Sequence, residues 1–426
     1  MSTPTLGYPQ SFRLARSPIF ITGKNNTLAN DALNAMTLEI STYTGAKTSP
    51  PASPDYTLEK TYSVEEVINF EFSDLIRDEF LHPFGKYNIG APSASEVGEV
   101  LWVVPEGEWT YESAGAAPVT AAWGSGTTYG FLALDGWTKR GESQNRQYED
   151  ARLTIDRTHQ VYASYREALA ALYYAGNGLN GLLYVIDGTN YWYDLEDKLG
   201  FANNSNISQN KVIYIPSGVP NVEDFVGVTP TTTYEISLLT NNEGVDYRQR
   251  VLDDGGTLEN WGCVMNAIDE LGGHDKVTHN YEVICEPKYT PYLVQYVNRY
   301  GVSDYITFFK RSEETGNFTN DSYQRSLYAD AFTEPTFLES KYQDFNINSR
   351  NSITLNTGWV EEAYADIIEE LMMSEKVAIF EGGNFRAVNP QRGSVDYQKE
   401  VNTQNINYTI TFNYGHDERN LIRWIR

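Results

Sequence analysis

Met36-Thr37-Leu38-Glu39-Ile40 alternates apolar and polar side chains with a period of two, the signature of a half-buried strand. Thr232-Thr233-Tyr234-Glu235-Ile236-Ser237-Leu238 and Tyr408-Thr409-Ile410-Thr411-Phe412-Asn413-Tyr414 repeat it. The same pattern predicts strands at 19–21, 56–62, 67–72, 99–111, 119–123, 127–134, 182–186, 191–193, 211–216, 245–252, 282–286 and 377–380. The stretch 292–309 reads as two aromatic strands around a tight Asn298-Arg299-Tyr300-Gly301 corner. Pro50, Pro51 and Pro54 exclude a central strand from 48–54.

Helical signals are fewer. Ser73 is a good N-cap and Asp74 suits the first turn, which predicts a short helix over 73–81, stopped by Pro83. The run 165–174, rich in Ala and Leu and ended by Gly176, Gly178 and Gly181, predicts a second. Trp359, Val360, Ala363, Tyr364, Ile367, Ile368, Leu371 and Met372 form an apolar stripe at helical spacing, with Glu361 and Glu362 in its first turn. Residues 313–321 read as a polar turn. The fold expected is mainly β, with β-sandwich-like domains, a few short helices and an α+β C-terminal domain. Its parts are an N-terminal arm (1–16), a β-sandwich domain (17–145), a β-rich middle domain (146–280) and a C-terminal assembly domain (281–426).

Composition narrows the function. The chain of 426 residues holds 31 tyrosines, a ring suited to pleated surfaces and to interfaces. A net charge of −25 opposes non-specific binding to nucleic acid and docking on anionic lipid. Residues 1–20 lack the apolar run of a signal peptide, and no stretch would span a membrane. The expectation is a protein made in a cytoplasm and soluble there. Cys263 and Cys285 are too few for a disulfide scaffold and read as reduced, buried thiols. His82, His159, His274, His279 and His416 are scattered, and His274 and His279, five apart on a polar loop, suit no metal spacing.

No reaction-specific motif appears. Gly124-Ser125-Gly126 lacks the nucleophile-elbow spacing, and Gly45-Ala46-Lys47-Thr48 breaks the phosphate-loop pattern. Asp187-Gly188-Thr189-Asn190 with Asp194 resembles part of a calcium loop but is better explained as a turn between strands, as is Asp253-Asp254-Gly255-Gly256. A glycosidase needs only two carboxylates, and none of the 57 acids is singled out as a pair. The expectation is no catalytic residue, no metal and no cofactor.

Several segments carry a resemblance. They are Arg16-Ser17-Pro18-Ile19; Tyr56-Thr57-Leu58-Glu59-Lys60; Phe70-Glu71-Phe72-Ser73-Asp74-Leu75-Ile76-Arg77-Asp78; Tyr296-Val297-Asn298-Arg299-Tyr300-Gly301 with Asp304-Tyr305-Ile306-Thr307-Phe308; Asn356-Thr357-Gly358-Trp359-Val360; and Tyr397-Gln398-Lys399-Glu400 before Ile406-Asn407-Tyr408-Thr409-Ile410. In these the chain resembles structural virion proteins of tailed phages infecting Bacteroidota, found as tail, baseplate or neck components. About half the chain is covered, mainly its two ends, and 146–280 is not. The resemblance implies a virion location and a homo-oligomer that also contacts other tail or neck proteins. Strand edges, the N-terminal arm and the apolar tail 421–426 would join neighbours.

Tyr296, Tyr300, Tyr305 and Trp424 are the interface candidates, because aromatic anchors dominate interface energetics. The competing reading places each ring in the chain's own core. Two other functions stand as alternatives: a carbohydrate- or receptor-binding module that reads a host surface glycan through 146–280, and a polysaccharide hydrolase.

Overall fold

A computed structural model describes residues 5–8, 12–24, 32–44, 49–61, 67–81, 87–94, 99–112, 117–123, 129–139, 152–173, 179–195, 211–240, 263–264, 276–285, 288–324, 340–393, 406–416 and 418–419. Within them the chain is mainly β. Strands β1 (Thr5–Gly7), β2 (Phe12–Leu14), β3 (Phe20–Lys24), β4 (Ala32–Tyr43), β5 (Tyr56–Thr61) and β6 (Val67–Glu71) precede helix α1 (Ser73–Arg77). Next come β7 (Ser93–Ala94), β8 (Val100–Glu112), β9 (Val119–Trp123), β10 (Phe131–Leu134), β11 (Thr158–Tyr162), β12 (Ala168–Tyr173), β13 (Leu179–Ile186), β14 (Thr189–Asp194) and β15 (Lys211–Pro216). Helix α2 (Val219–Val226) leads to β16 (Thr233–Thr240), β17 (Cys263–Val264), β18 (Lys276–Ile284), β19 (Tyr292–Val297) and β20 (Ser303–Phe308). The chain continues through β21 (Glu313–Gln324), β22 (Tyr342–Asn356), helix α3 (Tyr364–Met373), β23 (Val377–Glu381), β24 (Asn384–Pro390), β25 (Thr409–Tyr414) and β26 (Glu418–Arg419).

Two compact units result. One comprises Met1–Cys285 with Val297–Ile306, the other Glu286–Tyr296 with Thr307–Arg426. In the first, β1-β3-β6 make one sheet and β2-β10-β8-β4-β5, with β9 on β8, make another. Ile21, Leu38, Phe70, Ile76, Val103 and Phe131 from both sheets and α1 share one core. The sheets β11-β18-β16-β13-β14-β17 and β12-β15-β7 share a second, built on Val161, Tyr184, Ile213, Tyr234, Ile236 and Tyr281. The first core draws on residues between Ala15 and Ala133 and the second on residues between Val161 and Tyr281, either side of the expected boundary at 145. Yet β7 pairs with β15 across that boundary, and both cores belong to one unit.

The alternating segments fold as their patterns dictate. Met36, Leu38 and Ile40 of β4 are fully buried while Thr37 and Glu39 face outward. Asp187 (φ 49°) and Gly188 (φ 78°) close β13 onto β14 with Ile186 opposite Thr189, the two-residue turn that needs positive φ at both positions. The calcium-like fragment is therefore a hairpin turn.

Five expectations are corrected. Of the expected arm 1–16, the described residues 5–7 and 12–14 are strands paired within sheets of the first unit. β2 runs parallel to β10, Phe12 and Leu14 are buried, and the Arg16 guanidinium grips Asp135 through two bonds of 2.9 and 2.8 Å. Residues 168–173 are a strand, not a helix. They pair with β15 from Ala168↔Pro216 to Tyr173↔Lys211, and cross-strand pairing overrides the helix preference of Ala and Leu. Residues 313–321 are not a turn but most of β21. The last helix begins at Tyr364, because Gly358 (φ 82°) and the Val360↔Ile406 bridge hold the preceding residues extended, leaving Trp359 exposed. Cys285 is likewise exposed and not the buried thiol expected.

The Asn298–Gly301 corner is real and tightly held. Asn298 Oδ1 accepts the backbone N–H groups of Tyr300 (3.0 Å) and Val302 (3.3 Å), and its Nδ2 donates to the Leu153 carbonyl at 2.7 Å. Gly301 takes φ 78°, and a Cβ there would lie 2.5 Å from the Asp135 backbone carbon. The Trp137 N–H bonds the Arg299 carbonyl at 2.7 Å beside it. Gly301→Ala therefore combines positive-φ strain with a backbone clash. It is expected to cost at least about 2 kcal/mol, read as a lowered thermal unfolding midpoint.

Candidate functional site

Several buried polar groups of the first unit meet in one cluster. β11, β18 and β16 are neighbours, and their register sets His159 opposite Tyr281 and Tyr281 opposite Tyr234. Directly opposed rings stack. His159 and Tyr281 lie 4.6 Å apart at 19°, and Tyr281 and Tyr234 lie 4.8 Å apart at 9°. His279, two residues along β18, meets His159 edge-on at 5.9 Å. Beside them, Arg157 donates to Asp304 Oδ1 (3.1 Å), to the Tyr305 carbonyl (2.8 Å) and to His159 Nδ1 (3.3 Å). Asp304 Oδ2 accepts the Thr154 hydroxyl at 2.7 Å. Tyr184 donates to the Pro216 carbonyl at 2.8 Å and Tyr234 donates to the Ser217 carbonyl.

Burial governs the titration of these groups. His159 is held well below the usual imidazole value, first by desolvation and then by Arg157, His279 and Arg152. His279 falls to about 3, again by burial first and then by Arg152, with Asp156 and Asp304 opposing. Both imidazoles are neutral at pH 7. Since Nδ1 of His159 accepts from Arg157, its ring proton sits on Nε2. Tyr184, Tyr234 and Tyr305 are pushed well above the phenol range by burial.

This chemistry orders the chain. Asp304 is occupied by Thr154, Arg157 and its own strand's Tyr305 N–H, and does not orient the imidazole. The cavity lined by Thr154, His159, Glu167, Ser303 and Asp304 has room for about one water molecule. Among the described residues, no group of three His, Cys, Asp or Glu side chains is placed to hold a metal ion. No helix among them is long and apolar enough to cross a membrane.

The interface candidates fall elsewhere. Tyr300 and Tyr305 are buried in the first unit and Tyr296 in the second, so the side chains take the core reading; Trp424 lies outside the described residues. Segments 245–252 and 421–426 also lie outside them.

The surface that the sequence pattern missed is in the second unit. There β19-β23-β24-β25-β22-β21 lie in one sheet, with β26 on β22. Every one of the 12 residues of β21 is exposed, as are the first six of β22. Phe318, Tyr323, Tyr342, Phe345 and Ile347 sit on this ribbon, five of the eleven large apolar side chains exposed among the described residues. Tyr323 and Phe345 meet edge-to-face at 5.6 Å, and Asn346 bonds Asp321 at 2.9 Å. The clue available in the sequence was a Phe and a Tyr set among β-tolerant Thr residues in 313–324, outweighed there by Gly316, Asn317 and Asn320.

Two measurements follow from the polar cluster. Because both histidines have depressed folded pKa values, the unfolded chain takes up protons near pH 6.5 that the folded chain refuses. Stability should fall as pH drops below about 6.5, by up to ~1.4 kcal/mol per pH unit for each imidazole. His279→Phe should flatten that slope in pH-dependent denaturant melts. Asp304→Ala leaves the Arg157 cation buried without its carboxylate and should cost about 3–5 kcal/mol in the same assay.

The chain matches no protein-family model, no curated protein and no solved structure. Its functional reading therefore rests on the cluster and the ribbon.

Proposed function

We propose that the chain is a structural subunit of a phage virion, a tail, baseplate or neck component that oligomerises and links neighbouring virion proteins. The observation that supports this reading best is the β21–β22 ribbon. Its strands carry five exposed apolar side chains, Tyr323 and Phe345 in ring contact, and Phe318 is 75% exposed. Contiguous exposed apolar surface marks sites of protein association. A two-stranded ribbon is marginal by itself, and a partner that covers it would complete its burial. The resemblance in 16–19, 56–60, 70–78, 296–308, 356–360 and 397–410 favours the virion as the setting. In this reading the two β-rich cores of the first unit are sandwich-like bodies that hold shape, and binding is the work.

A carbohydrate- or receptor-binding module is the second reading. Tyr323 is directly opposite Gln343, with Phe345 next along the same face, a set of rings and a polar group of the kind that holds a sugar. A glycan array probed with the full chain separates the two.

The deciding measurement is native mass in solution, alone and mixed with tail and neck proteins encoded by the same genome. The expected result is an oligomer or a stable complex, weakened by the double change Phe318→Ser and Phe345→Ser with the fold kept by circular dichroism. A monomer that joins no complex would overturn the proposal.

A further inference from the structure

β21 ends its sheet, and among the described residues no strand pairs its outer edge. Exposed edges are usually guarded by lysine, proline or a strong twist, because they recruit other strands. β21 has no lysine, no arginine and no proline. From Glu313 to Thr319 it pairs with β22 in unbroken register, and the irregularity comes only after Thr319. The outer edge of 313–319 is thus a regular, seven-residue strand edge.

We propose that this edge binds the same edge of a second copy, antiparallel, with the two-fold axis at Gly316. The inference rests on the assembly reading above and names the surface it would use. Charge selects the occupant and the register. Each copy carries Glu313 and Glu314 at one end of the segment. An in-register parallel neighbour would set these carboxylates beside their own copies at about 4.8 Å, which is repulsive. The antiparallel register centred on Gly316 sets Glu313 opposite Thr319, Glu314 opposite Phe318 and Thr315 opposite Asn317. Within 313–319 the nearest acids, Glu314 and its copy, then lie about 13 Å apart, beyond the ~8 Å screening length at physiological salt; Asp321 lies about 8 Å from the copy's Glu313, and the same register sets it opposite the copy's Arg311.

The centre also fits. Gly316 places no side chain between the strands, and the Phe318 ring lies over it, within 3.3 Å of where a Cβ would stand. In the paired state the Phe318 rings of the two copies flank the Gly316 pair on one face, where each shields an otherwise bare stretch of backbone. The strand pairing covers less surface than the roughly 1,600 Å² of a standard interface, so the contact is concentration-dependent. Two chains of charge −25 repel at long range, so added salt should strengthen it.

The test uses the full chain and light scattering over a broad range of protein and salt concentrations. The expected result is a dimer, or an even-numbered oligomer, that grows with salt. Gly316→Lys should abolish it. Its added atoms meet only the tips of Phe318 and Asn351, so the fold should survive, checked by circular dichroism. Phe318→Lys provides an independent disruption. In a Cys285→Ser background, Gly316→Cys should cross-link two copies under mild oxidation, because directly opposed strand residues sit within disulfide reach, whereas Glu313→Cys should not. An oligomer insensitive to Gly316→Lys, or equal cross-linking at both positions, would overturn this pairing and leave the assembly reading standing. A monomer under every condition would overturn the pairing, and the assembly reading fails with it only if the chain also joins no complex with its neighbours.

Discussion

The first unit depends on the buried pair between Arg157 and Asp304. The two residues are 147 apart in sequence, and both side chains are almost wholly enclosed. Neither ion is cheap to desolvate, so the pair adds little net stability compared with an apolar substitute. What it supplies is a single allowed position. Arg157 has three described acceptors (the Asp304 carboxylate, the Tyr305 carbonyl and His159 Nδ1), and any slip of one segment against the other leaves a buried charge unmet. Residues 153–159 and 298–305 are therefore fixed together, with Asn298 reaching the Leu153 carbonyl from the same side.

That constraint explains the use of the tyrosines. Once His159 is fixed by Arg157, the β11–β18–β16 register places Tyr281 and Tyr234 in line with it, and the three rings stack across three strands. Tyr300 is held by the corner that Asn298 and Gly301 close against Asp135, and the Tyr305 backbone by Arg157 and Asp304. Rings that suit an interface by chemistry are thereby committed to the interior by geometry. The segment that lacks such commitments is the β21–β22 ribbon, whose rings stay exposed.

Much of this was legible in the sequence, and the failures have physical causes. Period-two segments such as 36–40 and 408–414 were readable because one face is buried and the other wet, and the strands at 119–123 and 211–216 were found to the residue. The run 168–173 misled because a strand buried on both faces has no period, and Ala-Leu-Ala-Ala-Leu is helix-forming in isolation. Trp359 and Val360 fit the helical stripe by spacing, but Gly358 in the left-handed region turns the chain before the helix starts. The polar cluster was invisible because Thr154, Arg157, His159 and Asp304 converge only in three dimensions. His279 looked like a loop residue until β18 carried it inside.

The ribbon was missed for the opposite reason. A strand exposed on both faces has no hydrophobic alternation to announce it, so Glu-Glu-Thr-Gly-Asn-Phe-Thr-Asn-Asp reads as a turn. What makes it a strand is β22, whose inner half is clamped by β25 through Ile353↔Phe412 and Leu355↔Ile410 and so offers β21 a rigid template. Beyond Thr319 that support ends, and order passes to local devices: the Tyr323–Phe345 ring contact, the Tyr323 hydroxyl on Gln343, and the Asn346 amide on Asp321. The ribbon thus has a templated base with an open edge and a tip closed by its own side chains. The base, regular and free of lysine and proline, has the geometry for strand addition; the tip, irregular and aromatic, suits contact through its faces.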